Sequence, residues 1–186
     1  MAKEAEYSGG RGRVPWRVLG WGTATLLLFL PLAAMQVTGE VNWTMGDSIF
    51  AALMIGVVGI AYELTVRVTR DWAHRSAVVA ALAAAFLTIW ANGAVGMIGS
   101  EDNPYNLFFF GVILVALLGS VAARFRPAGM AYAMGAAAIA QVCVAAGGLP
   151  SDILGGLFSM GFAGLWLLSA ALFWTAARNQ GAARQR

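Results

Sequence analysis

Residues 107–146 read LFFFGVILVALLGSVAARFRPAGMAYAMGAAAIAQVCVAA, two apolar runs joined by one charged turn, Arg124-Phe125-Arg126-Pro127. Each run is close to the roughly 20 residues that an apolar α-helix needs to cross the ~30 Å hydrocarbon core of a bilayer. Arginine near the end of a membrane helix resists translocation, so the turn is expected to stay in the cytoplasm. The segment therefore predicts a transmembrane helical hairpin with its turn on the inner side.

The same pattern extends along the whole chain. All twelve Lys and Arg residues fall into clusters at 3–17, 67–75, 124–126 and 178–186. The apolar runs between these clusters predict spans at about 18–37, 48–66, 77–98, 107–123, 128–146 and 152–177. Because the opposite ends of the spans carry only acidic charge, both termini are expected in the cytoplasm. The predicted fold is an all-α membrane protein, a bundle of six transmembrane helices.

The composition excludes a soluble domain of this size. Charged residues make up 11% of the chain and hydrophobic residues 60%, whereas soluble domains carry about 25% charged residues. We predict one transmembrane domain at 18–177, with cytoplasmic tails at 1–17 and 178–186. The first apolar run is longer than the core of a typical secretory signal, so we interpret it as a retained anchor.

The net charge of +3 is spread over four flanks of the predicted bundle. Anionic lipid headgroups at the basic inner face are therefore the expected partner, and nucleic acid is not. The small-residue runs at 83–85 and 136–138 allow close approach of membrane helices. They predict positions inside the bundle, at a contact between copies of the chain, or at a contact with a larger membrane complex.

A spacing repeat relates three of the predicted spans. An aspartate stands nine residues before a glycine in each, at Asp47 and Gly56, Asp102 and Gly111, and Asp152 and Gly161. Three related helical hairpins would explain the spacing, and coincidence in a low-complexity apolar sequence is the rival explanation. In either case an aspartate at a helix start is expected to accept hydrogen bonds from free backbone amides.

Glu63 is the one strong candidate for an ionisable group at membrane depth. It lies near the predicted inner end of the second span, four residues before Arg67. That spacing favours an ion pair at the interface. The alternative is a proton or cation carrier that faces the cytoplasm, assisted by Tyr62.

A second group of polar residues is expected at the outer ends of the spans. Five carboxylates without a neighbouring cation repel one another, so a bound cation, raised pKa values or simple solvation must relieve them. One amide also lies in each span that runs outward. These residues predict an acidic outer-facing pocket for an ion or small polar solute, with solvated loop acids as the alternative. The candidate ligands, with Glu63, are Gln36, Glu40, Asp47, Asn92, Glu101, Asp102, Asn103, Gln141 and Asp152.

The residue inventory argues against cofactor chemistry within the chain. The single histidine, His74, cannot supply bis-histidine haem ligation or a three-histidine zinc site. Cys143 is the only cysteine, and the only lysine, Lys3, lies in the predicted tail. No cofactor and no catalytic residue is predicted, the identity of any metal stays open, and an enzyme is the less favoured class.

Several stretches of the membrane part are distinctive: Ala34-Met35-Gln36, Glu40-Val41-Asn42-Trp43, Ala61-Tyr62-Glu63-Leu64, Trp90-Ala91-Asn92-Gly93-Ala94-Val95-Gly96 and Ser100-Glu101-Asp102-Asn103-Pro104. Together they resemble a group of small, uncharacterised bacterial multi-pass inner-membrane proteins. The resemblance implies a bacterial inner (cytoplasmic) membrane and no mechanism. The sequence leaves two hypotheses for the function. One is ion or solute binding for transport or sensing, and the other is a non-catalytic accessory subunit of a larger membrane complex.

Overall fold

The computed structural model describes residues 16–37 and 43–184, and these residues form helices and turns without a strand. The helices are α1 (Trp16–Ala34), α2 (Met45–Val68), α3 (Trp72–Ala94), α4 (Leu107–Ala122), α5 (Pro127–Gly148) and α6 (Ile153–Arg184), and a 3₁₀ turn (Pro104–Asn106) precedes α4. The predicted all-helical class is confirmed.

Five of these helices, α2 to α6, are long and apolar enough to cross a membrane. For α4, the span includes the 3₁₀ turn that precedes the helix. The apolar part of α1, Gly20–Ala34, is shorter than a full span. The chain is therefore a multi-pass membrane protein. The sixth span and the sidedness of the termini stay predictions.

The chain divides into two compact units, residues 1–59 and 60–186. In the first unit, Gly59 of α2 has no room for a side chain, because a Cβ there would collide with the Trp21 ring of α1. The start of α2 is fixed by a reciprocal cap. The Thr44 amide and hydroxyl both donate to the Asp47 carboxylate at 2.8 Å, and the Asp47 amide donates to the Thr44 hydroxyl at 3.2 Å.

In the second unit, α6 packs along α5 and α3, and α4 packs against α5, while α3 and α4 scarcely touch. Small side chains permit these close contacts, as predicted for both alanine runs, since Ala84 and Ala137 are fully buried. The Ser169 hydroxyl donates to the Ala77 carbonyl at 2.8 Å and fixes the register of α6 on α3. Trp166 and Phe173 of α6 fill the space between the alanines.

Two helix boundaries differ from the sequence prediction. Helix α3 begins at Trp72 because Asp71 caps it, accepting a hydrogen bond from the His74 amide at 3.1 Å. It ends at Ala94, and Gly96 then takes a φ of +75°, a conformation that glycine adopts readily and that has no place in a right-handed helix. Helix α6 continues past the predicted end of its span at 177 to Arg184, where Ala, Arg and Gln favour the helical state.

The two ends of the second unit have different chemistry. The arginine end comprises the α2–α3 turn at 68–71 and the α4–α5 turn at 123–127. The loop end comprises residues 95–106 and the α5–α6 turn at 149–152. At the arginine end, Arg124 and Phe125 adopt φ values of +50° and +56°, and the Phe125 amide donates to the Ser120 carbonyl at 3.0 Å to close α4.

Candidate functional site

The loop end is held together by Asn106, which is only 4% exposed. Its Oδ1 accepts hydrogen bonds from the amides of Met97 and Ile98 at 3.2 and 2.8 Å, and its Nδ2 donates to the Ser100 carbonyl at 2.8 Å. One side chain thereby satisfies three backbone groups in a segment without helical hydrogen bonds of its own. The position of the loop is fixed, not left to solvent.

Asp152 joins this loop to the start of α6. Its carboxylate accepts hydrogen bonds from the Gly155 amide at 2.9 Å and the Gly99 amide at 3.0 Å. These bonds, first that from Gly155 and then that from Gly99, favour the charged form and lower the pKa of Asp152 below its ordinary value. The predicted capping role is confirmed for Asp47 and Asp152. At Asp102 it is not seen, because Asn103 caps the 3₁₀ turn instead.

Asn103 is a second brace of the loop. Its Oδ1 accepts from the Tyr105 amide at 3.0 Å, and its Nδ2 donates to the Ile98 carbonyl at 2.9 Å. The Tyr105 hydroxyl reaches across to α5 and donates to the Val144 carbonyl at 2.8 Å. The structure therefore brings Asn103 and Asp152 together around Gly99, both in hydrogen bonds that stabilise the fold.

The amides of Asn92 and Gln141 lie inside the bundle, 5% and 0% exposed. Asn92 Nδ2 donates to the Thr88 carbonyl at 2.8 Å, and Gln141 Nε2 donates to the Ser159 carbonyl at 2.9 Å. Rotating either amide would place its oxygen against a carbonyl oxygen, so these bonds fix the orientation of both groups. Asn92 Oδ1 and Gln141 Oε1 are buried and accept no hydrogen bond from the described part of the chain.

The buried polar groups continue from α5 to the loop. Gln141 bonds to the Ser159 carbonyl, and the Ser159 hydroxyl donates to the Met97 carbonyl at 3.2 Å. The Met97 amide is in turn bound by Asn106. We name Asn92, Gln141, Ser159 and Asn106 the polar layer. An uncharged oxygen in this layer can accept a hydrogen bond from an N–H group or water, or can coordinate a small cation.

The remaining candidate ligands predicted from the sequence are not part of the polar layer. Glu101 and Asp102 are exposed on the loop, and Gln36 is exposed beyond the end of α1 in the first unit. Glu40 falls outside the described residues. Glu63 lies 3.3 Å from Arg67 in the ion pair that the first of the two alternatives predicts. Within the described ranges, no three His, Cys, Asp or Glu side chains are grouped as a metal site.

Sequence reasoning missed Asn106 and Ser159, which supply most of the hydrogen bonds in the polar layer. Asn106 follows Pro104 at a helix start, a position where asparagine is common, so its burial has no obvious sequence signal. A serine inside an apolar helix usually bonds to its own backbone. Only the approach of α6 to the loop turns Ser159 towards Met97.

No family model, curated protein or solved structure matches the chain. The functional assignment therefore depends on the chemistry of its own side chains.

Proposed function

We propose that this protein binds a small monovalent cation or an amine-bearing polar solute at its loop end, for transport or for sensing. One observation carries the proposal: Asn92 Oδ1 and Gln141 Oε1 are fixed, buried acceptors that receive no hydrogen bond from the described residues. Leaving such a group unsatisfied costs about 1–3 kcal/mol. A donor or cation bound at either oxygen would remove that cost there. Six spans, cytoplasmic termini and a bacterial inner membrane belong to the same proposal.

The chemistry of the layer favours a singly charged ligand. Its available groups are neutral amide oxygens, while the Asp152 carboxylate is already engaged by backbone amides. Carbonyl oxygens replace the hydration shell of K⁺ or Na⁺ well, whereas a divalent cation usually needs carboxylates. Glu101 and Asp102, exposed on the loop, would raise the local concentration of cations before they enter.

Thermal unfolding of the purified protein tests this proposal. KCl, NaCl and methylammonium chloride would be titrated against choline chloride at constant ionic strength. A ligand at 100 times its Kd stabilises the folded state by about 2.7 kcal/mol. We expect one of the small cations to raise the unfolding temperature of the wild type.

Substitutions with similar volume identify the site. Gln141→Met and Asn92→Leu remove the free oxygens and should abolish the cation-dependent rise. Glu101→Gln serves as the control, because it is exposed and should keep the rise at saturating cation. If no cation stabilises the wild type, or if the wild type and both buried variants respond alike, the proposal is wrong.

A second candidate function, a non-catalytic accessory subunit, is favoured by one surface feature. A Cβ added to Gly161 or Gly164 on α6 would meet nothing within 4 Å, so helix backbone is uncovered there. Another transmembrane helix could approach closely at such a face. Native mass spectrometry from mild detergent distinguishes the two functions, because a stoichiometric partner of different mass supports docking.

A further inference from the structure

A separate cavity of about 600 Å³ lies at the arginine end of the second unit. Its walls come from the last turns of α2 and from α3 to α6, and they are almost entirely apolar, with Leu64, Val78, Leu82, Ile113 and Met134 among them. The lining residues of α3 run from His74 to Ala85, which corresponds to a length of about 16 Å along the helix. The cavity is therefore elongated and follows the helix axes.

The separation of α3 from α4 explains this space. These helices scarcely touch each other, and the residues that face the cavity include Ala81, Ala85 and Ala116, which are too short to fill it. Its volume falls within the range of about 300–1,000 Å³ that is usual for small-molecule sites. An apolar chain that lies parallel to the lipid tails fits the shape.

Two residues that line the cavity each have a buried nitrogen atom with no hydrogen-bond partner among the described residues. Trp166 is 1% exposed, and its indole Nε1 donates no hydrogen bond to the described part of the protein. The Nδ1 of His74 is also buried and has no hydrogen-bond partner among the described residues. The imidazole packs edge-on against the Phe173 ring, with the ring centroids 5.2 Å apart. Both side chains line the cavity. An indole N–H can only donate, so an acceptor oxygen admitted to this part of the cavity would satisfy the Trp166 Nε1.

The register of α3 on α6 gives the spacing of these groups. The Ser169–Ala77 hydrogen bond sets those two residues level. His74 lies three residues from Ala77 towards the arginine end, and Trp166 lies three residues from Ser169 in the opposite direction. Their Cα atoms are thus about 9 Å apart along the bundle. A ligand that forms hydrogen bonds with both His74 Nδ1 and Trp166 Nε1 therefore needs two polar groups separated by about that distance.

Three exposed arginines of the arginine end are close in sequence to residues that line the cavity. Phe125 lines the cavity between the exposed Arg124 and Arg126, and Val68 lines it two residues before the exposed Arg70. These three guanidinium groups have no ion pair with the described residues. Two other arginines at this end already have partners. Arg67 forms an ion pair with Glu63, and Arg75 donates hydrogen bonds to the Thr69 and Val66 carbonyls at 2.8 and 3.0 Å.

Among the residues that the structure describes at this end, Asp71 is the one acid besides Glu63. Burial acts to raise its pKa, but hydrogen bonds from Asn179 and from the amides of His74 and Ala73 outweigh it and hold the pKa below the ordinary value. Asp71 is therefore negatively charged, and its carboxylate is occupied by the cap of α3 and by Asn179 at 2.9 Å. Among the described residues, the charges left without a partner at the arginine end are therefore positive.

We propose that this cavity binds one long-chain amphiphile with an anionic head at Arg70, Arg124 and Arg126 and with a hydrogen-bond-accepting oxygen part-way along its chain at Trp166. The site is separate from the polar layer at the loop end. Arginine binds carboxylate and phosphate in the same forked geometry, so both head chemistries are included. The apolar walls hold the chain, and His74 meets an oxygen at the base of the head.

Binding of defined amphiphiles to purified full-length protein tests the proposal. The probes are stearate, a hydroxystearate with its hydroxyl near mid-chain, and a lysophosphatidate carrying the same hydroxylated chain, each below its critical micelle concentration. Displacement of a fluorescent fatty acid gives the affinities. We expect the hydroxystearate to bind about five- to tenfold more tightly than stearate, the effect of one added hydrogen bond. The two hydroxylated probes together show whether carboxylate or phosphate is the preferred head.

The variants separate the two parts of the site. Trp166→Phe should remove the preference for the hydroxylated chain while keeping stearate binding, and Trp174→Phe, which lies outside the cavity, should leave the preference intact. Arg124→Gln with Arg126→Gln should weaken all three probes about tenfold, against Arg178→Gln as the control. Ala81→Phe should block the binding of all three probes because its ring fills the cavity. Circular dichroism and size-exclusion elution that match the wild type would show that this variant is folded.

Two results would overturn the proposal. One is equal affinity for plain and hydroxylated chains in the wild type. The other is binding that Ala81→Phe leaves unaffected, which would place the amphiphile on the outer surface.

Discussion

Replacing Asn106 by alanine should be among the most damaging single changes to the second unit. The substitution removes the acceptor of two backbone amides, at Met97 and Ile98, which are 1% and 0% exposed. A buried donor without a partner costs about 1–3 kcal/mol, so the two together give about 2–6 kcal/mol. The third bond, to the carbonyl of the exposed Ser100, adds little because water can replace it.

Denaturation by SDS in mixed micelles, followed by circular dichroism, measures this loss. Asn179→Ala is the matched control, because Asn179 is exposed and makes one surface hydrogen bond to Asp71. It should change the free energy of unfolding by less than about 1 kcal/mol. If Asn106→Ala is no more destabilising than Asn179→Ala, the described arrangement of the loop is wrong.

The other predictions concern the helix ends and the loop. The pKa of Asp152 in the folded protein lies below its ordinary value of 3.8. The charged carboxylate therefore contributes its full stabilisation at pH values above 3.8, and this contribution is lost as the pH falls through the lowered pKa. Asp152→Asn should reduce this acid sensitivity in thermal unfolding. Arg75→Gln should free the carbonyls at the end of α2 and raise hydrogen exchange in its last turn by about tenfold, with Arg70→Gln as the control. Gly96→Ala should destabilise by about 1–3 kcal/mol, since its φ is +75° and a Cβ would meet the Ser100 backbone, whereas Gly164→Ala, which has open space, should be neutral or slightly stabilising by denaturant titration.

Much of the helical architecture follows from sequence because it depends on local chemistry. The length and apolarity of α2 to α6, the alanine-rich contacts, the cap at Asp152 and the Glu63–Arg67 pair all involve neighbours in sequence or one helix face. Such features obey periodicity and capping rules without reference to the rest of the fold.

The sites depend on contacts between distant residues, and there the sequence is less informative. Asn92 and Gln141 stand out as amides within spans, but their free oxygens become apparent only when their nitrogens are seen bonded to Thr88 and Ser159. Asp152 is a predicted ligand whose carboxylate binds Gly99, 53 positions away. The amphiphile cavity depends on the gap between α3 and α4, which no pattern within either helix reveals.

We propose that this multi-pass membrane protein has its loop end on the outer side and its arginine end in the cytoplasm. Single cysteines at the two ends test it most directly, in a Cys143→Ser background because the native cysteine is exposed. In intact cells, a membrane-impermeant maleimide should label Asp102→Cys at once and Arg126→Cys only after permeabilisation. Labelling of both from one side would mean that α4 does not cross the membrane, and the reverse order would place the loop end in the cytoplasm; either result would contradict the claim.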